Sequence, residues 1–135
     1  MTLSQAQMRE AVDAEMHAAL TKPAIAVRVG AGTPRSLVDP VLWGIEEEGV
    51  PSTLEQVELA NPLELAHAAA QSSRLGVGVG IGLDYVVVTT DKLPPGKPYL
   101  AARVTSPGRQ GRVLGADAAR LVRGIELKPI DEEQS

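Results

Sequence analysis

The chain has 135 residues, of which 44% are apolar and 22% charged, enough for one modest soluble core. It contains no cysteine, which excludes disulfides, thiolate metal sites and thiol catalysis. A net charge of -4, a sparse basic set (Arg103, Arg109, Arg112, Arg120, Arg123) and only one Trp, two Tyr and no Phe argue against nucleic-acid binding.

In chain order, Leu3, Met8, Val12, Met16 and Leu20 fall at near-helical spacing and predict an amphipathic N-terminal helix over 2–20. That segment lacks a basic n-region and a continuous apolar stretch, so it does not read as a signal peptide, and no later run is long enough to span a membrane. Lys22-Pro23 breaks the helix, and AIAVRV over 24–29 predicts a buried strand. Thr33-Pro34 caps a second helix running to about Glu48. Residues 52–59 alternate weakly as a strand, and Asn61-Pro62-Leu63-Glu64 opens an Ala-rich helix to about Ser73. Two strands, 76–81 and 85–90, meet around Gly82-Leu83-Asp84 as a hairpin, and YLAARV over 99–104 predicts another strand. A helix over about 111–123, a last strand near 125–127 and a disordered acidic tail over 129–135 complete the reading. The fold expected is α/β, with a small, mainly parallel sheet, βαβ crossovers and an antiparallel hairpin strand. Its organisation is an extension over 1–21, one domain over 22–128, and the tail.

Few residues offer chemistry. GVGVGIG over 76–82 lacks the spacing of a dinucleotide fingerprint and the Lys-Ser/Thr of a phosphate loop. Its alternating glycines place one bare face on a strand, against which a helix can approach closely. His17 and His67 stand in different helices with no second ligand beside them, Ser72 and Ser73 lack an adjacent base, and Asp84 and Asp91 read as turn residues. No catalytic or cofactor-binding set is assembled.

The stretch WGIEEEGVP over 43–51 is different. Three glutamates precede a helix-terminating Gly, where the helix dipole is negative and each carboxylate costs roughly 0.3–1 kcal/mol at low salt. At about 100° per residue, Leu37, Val38, Val41, Leu42 and Ile45 form an arc toward the sheet. Asp39, Trp43, Glu46 and Glu47 fall opposite, and Glu48 returns to the arc's edge. The triplet therefore cannot chelate as one cluster. Glu46 reads as solvated, whereas Trp43, with Glu46 and Glu47, marks an interface in which a carboxylate accepts from a partner's Arg or completes the oxygen shell of a Mg²⁺ or Ca²⁺ held mostly by that partner.

WGIEEEGVP, SSRLGVGVGIG, VVVTTDKLPPGKPYL and GADAARLVRGIEL, in this order, resemble the small subunit of the diol/glycerol dehydratase reactivating factor over about 24–128. The resemblance implies a non-catalytic subunit, similar in fold to part of the dehydratase medium subunit. It would pair with a large actin-like ATPase subunit and exchange with the medium subunit on the dehydratase large subunit, releasing damaged cobalamin. By position, the second glutamate of the family's GxEE segment, a ligand to a divalent metal at the junction with the large subunit, falls on Glu47. The Mg²⁺ is thus shared, and this chain alone needs no cofactor. The absence of a signal-peptide pattern and of a membrane-length apolar run leads us to expect a cytoplasmic location. The exposed Trp43 surface leads us to expect a homo-oligomer when the chain is isolated, and the first helix is free to self-associate or dock to a larger assembly such as a bacterial microcompartment. The dehydratase medium subunit itself shares the GIEEEG-type segment but continues further past the AARLV helix. A small-molecule-binding domain using the Gly-rich strand end and Asp84, or a homo-oligomeric scaffold, are the rivals outside the family.

Overall fold

A computed structural model describes residues 4–20, 23–58 and 61–126. The elements are α1 (Gln5–Leu20), β1 (Ile25–Gly30), α2 (Arg35–Glu47), β2 (Ser52–Val57), α3 (Pro62–Ser72), β3 (Val77–Gly82), β4 (Tyr85–Thr90), β5 (Leu100–Arg103) and α4 (Pro107–Glu126). The five strands lie in the order β2-β1-β3-β4-β5. β1 is parallel to both β2 and β3, whereas β3–β4 and β4–β5 are antiparallel, so the expected α/β sheet with parallel crossovers and a hairpin is present.

The pleat sorts the side chains into two layers. Ile25, Val27 and Val29 of β1, Val77, Val79 and Ile81 of β3, and Val86 and Val88 of β4 form one buried face with Leu37, Val38, Val41 and Ile45 of α2 and Leu114, Ala118, Ala119 and Val122 of α4. The opposite face receives α3. There the glycines of β3 act as expected: a Cβ at Gly78 would lie 2.2 Å from the Ala70 backbone nitrogen, and one at Gly80 would lie 2.3 Å from the Pro62 carbonyl oxygen. Leu65, Ala66, Ala69 and Ala70 are buried on α3, which Asn61 caps by accepting from the Leu63 N–H at 2.9 Å. Helices on opposite faces are what two successive crossovers of one hand require when the second doubles back past β1.

The hairpin turns through Leu83 and Asp84, at φ 52° and 66°. Two successive left-handed residues make the turn whose twist matches the strands. Asp84 is a turn residue, and its carbonyl accepts from the Val104 N–H at 2.7 Å.

The C-terminal region departs from expectation. Helix α4 begins at Pro107 and continues through Ile125 and Glu126, where the sequence predicts a last strand; Leu127 and the 129–135 tail lie outside the described residues. Gly124 would end an isolated helix, but Leu121 and Val122 pack on the core and carry α4 past it. At the other end, the Gln110 Oε1 accepts from the Thr105 and Ser106 N–H groups, both at 2.7 Å, and fixes the earlier start. Helix α1 is present, and its side chains over 5–13, including Met8 and Val12, are exposed.

Candidate functional site

The acidic end of α2 is built by its packing against α4. Gly44 of α2 and Gly115 of α4 meet backbone to backbone: a Cβ on Gly44 would lie 2.1 Å from the Arg112 carbonyl oxygen, and one on Gly115 would lie 2.0 Å from the Val41 carbonyl oxygen. Gly111 sits over Pro40, where an added Cβ would come within 2.8 Å of the proline ring. This close approach brings the α4 arginines to the glutamates.

Arg112 pairs with the Glu47 carboxylate. Arg123 pairs with the Glu48 carboxylate and also donates to the Glu48 carbonyl oxygen at 2.9 Å, while Arg120 reaches the same carboxylate at 3.5 Å. Gly49, at φ +80°, ends the helix, and its N–H bonds to the Glu46 carbonyl at 2.9 Å. The unfavourable dipole is therefore compensated within the chain: cationic groups from α4 stand at the negative end of α2, one of them bonded to a terminal carbonyl. On the wheel of α2 alone, Glu47 falls in the outward arc with Asp39, Trp43 and Glu46. Part of that arc faces α4.

The three glutamates do separate in character. Glu48 is the most enclosed, with its side chain 23% exposed, and is clamped by two arginines. The Glu47 side chain is 51% exposed and has Arg112 as its partner. Glu46 is exposed and makes no ion pair among the described residues. Trp43 is 48% exposed and lines an open cleft with Gly108, Arg109, Arg112 and Val113. The α4 side of this cleft was not foreseen, although Gly111 and Gly115 at i and i+4, with arginines at 112, 120 and 123 along one helix face, carried the signal. Tyr85 and Tyr99 are also about half exposed, so all the aromatic residues lie at the surface and the core is aliphatic.

Elsewhere the chemistry is thin. Gly30, Ala31, Gly32, Thr33, Pro34, Leu37, Gly82, Leu83 and Asp84 line an open cleft of about 240 Å³ beside the C-terminal ends of β1 and β3. It falls below the roughly 300–1,000 Å³ typical of ligand pockets, and Thr33 Oγ1 is spent on the Gly30 carbonyl at 2.7 Å. Ser72 Oγ donates to the Ala69 carbonyl and Ser73 Oγ to the Ala24 carbonyl, so both hydroxyls serve the backbone. His67 lies on α3, away from the acidic end, and the His17 side chain lies outside the described ones. No three His, Cys, Asp or Glu side chains among the described residues are grouped to hold a metal ion. Glu47 fits a divalent cation as one exposed hard oxygen donor, not as a cage.

Residues 22–128 match the family model described as dehydratase medium subunit. The chain is 35% identical over 113 residues to the propanediol dehydratase-reactivating factor small subunit of Citrobacter freundii, covering 84% of this chain and 97% of that one. It is 36% identical over 111 residues to the diol dehydratase-reactivating factor small subunit of Klebsiella michiganensis, covering 82% and 88%. The chain belongs to the dehydratase-reactivating factor small-subunit family. Within solved structures, it is similar to a chain of the diol dehydratase-reactivating factor complexed with ADP and Mg²⁺, with a TM-score of 0.71 and 36% identity over 77% of this chain and 95% of that one. Helix α1 lies outside the span that the family model matches. The near-complete coverage of these relatives favours the reactivating-factor reading over a dehydratase medium subunit. No helix among the described residues is long and apolar enough to cross a membrane.

Proposed function

We propose that this chain is the small, non-catalytic subunit of a dehydratase-reactivating factor, which pairs with a large ATPase subunit and exchanges with the medium subunit on an adenosylcobalamin-dependent diol or glycerol dehydratase. The observation that carries the reading is the 35% identity over 97% of a reactivating-factor small subunit. The medium-subunit family match gives the exchange a physical basis, because a chain sharing the medium subunit's fold can compete for its seat. Opening that seat frees the damaged cobalamin. Nucleotide chemistry belongs to the large subunit in this reading.

The surface assigned to the large subunit is the open end of the α2–α4 pair. Trp43 supplies an apolar anchor beside Val113, and Glu47 supplies one carboxylate oxygen to a Mg²⁺ held mainly by the partner, with Glu46 at its rim. The cation supplies charge neutralisation between the two proteins. In isolation the same surface attracts a second copy, giving a homo-oligomer. Helix α1, with Met8 and Val12 exposed, is the element we assign to self-association or to docking on a larger assembly such as a bacterial microcompartment in the cytoplasm.

Glu47→Gln tests the site. It keeps the side chain's size and removes its charge, so it should abolish the Mg²⁺-dependent gain in affinity for the large subunit, on the order of tenfold, and leave the isolated fold intact. Calorimetric titration at high and zero Mg²⁺ reads this directly, and an undiminished Mg²⁺ response would remove Glu47 from the interface.

A further inference from the structure

The pairing of the glutamates with α4 is asymmetric. Glu48 is held by both Arg120 and Arg123, and Arg123 is further tied to the Glu48 carbonyl. Among the described residues Glu47 is held by Arg112 alone, and both side chains of that pair are about half exposed at the Trp43 cleft. The Arg112 backbone is fixed by its close packing on Gly44, so its side chain can swing away without moving α4. One glutamate at this helix end thus has a fixed clamp and its neighbour a releasable one.

A guanidinium and a divalent cation compete for the same carboxylate lone pairs, and repel each other when both are near. We propose that Arg112 is an internal counter-ion that occupies Glu47 in the free subunit and is displaced when the partner presents its cation. The inference rests on the reading of Glu47 as a metal donor. In the free chain Arg112 neutralises a carboxylate at the negative end of α2, which would otherwise repel the helix end. In the complex the cation takes over that role, and the guanidinium is released toward the partner side of the cleft. The exchange makes association conditional on the cation: without it, Glu47 stays satisfied in cis.

The test is the Mg²⁺ concentration at half-maximal association with the ATPase large subunit, measured for the full chain, Arg112→Gln, Glu47→Gln and the double variant. Removing the competitor should lower the midpoint for Arg112→Gln by up to about fivefold, the range an exposed ion pair spans. Arg112→Lys should fall between Arg112→Gln and the unmodified chain. Glu47→Gln and the double variant should behave alike, with no Mg²⁺ dependence. An unchanged or raised midpoint for Arg112→Gln, alongside a Mg²⁺-independent Glu47→Gln, would overturn the counter-ion role while leaving Glu47 as the donor. Retained Mg²⁺ dependence in Glu47→Gln would overturn the donor reading and this inference with it. Thermal unfolding of each variant serves as the control, since the side chains are half exposed and the core is untouched.

Discussion

Gly115→Ala should destabilise the domain by about 3 kcal/mol or more, the upper range for overpacking, because the added methyl would be placed 2.0 Å from the Val41 carbonyl oxygen. The obstacle is the backbone of α2, not a flexible side chain, so relief requires the two helices to separate. Separation would draw Leu114, Ala118 and Val122 away from Val41 and Ile45, and would pull Arg112 and Arg123 off the glutamates. Thermal unfolding should show a midpoint lowered by roughly 10 °C or more. Gly108→Ala provides the contrast: nothing lies within 4 Å of its Cβ position, and alanine favours the helix, so it should be neutral or stabilising by up to about 1 kcal/mol. Equal midpoints for the two variants would show that α2 and α4 are not packed as described.

Trp43→Ala should have the opposite profile. Half of the indole is exposed in the free chain, so its loss should change stability little, whereas a buried anchor at the centre of an interface is worth on the order of 2 kcal/mol. Binding to the large subunit should weaken about 30-fold with the same Mg²⁺ midpoint. A surface-plasmon titration giving unchanged affinity would mean that the interface lies elsewhere. The core is filled by Val, Ile, Leu and Ala, and Trp43 lies outside it.

Much of this was legible in the sequence because it rests on local periodicity. The alternating glycines of β3 predicted a bare face open to a close-packed helix, and α3 fills that place at Gly78 and Gly80. The α2 apolar arc placed Leu37, Val38, Val41, Leu42 and Ile45 inward and Trp43 outward; in the structure Leu42 is only partly buried, the other four are buried, and Trp43 is exposed. What was not legible came from pairing between distant segments. Arg112, Arg120 and Arg123 looked like a sparse basic set until α4 was laid against α2. Only then did they become the counter-ions that resolve three glutamates at a helix end. The final strand failed for a related reason: Gly124 stops an isolated helix more readily than one whose Leu121 and Val122 pack on the core.

As proposed above, this chain seats against the ATPase large subunit of a reactivating factor through the Trp43–Glu47 end of α2. The most direct test is co-expression of the two subunits followed by affinity capture and mass measurement, with Mg²⁺ and with a chelator. The complex should survive capture in Mg²⁺ and weaken when the cation is removed. Failure of the two chains to associate in Mg²⁺, with each separately folded, would contradict it.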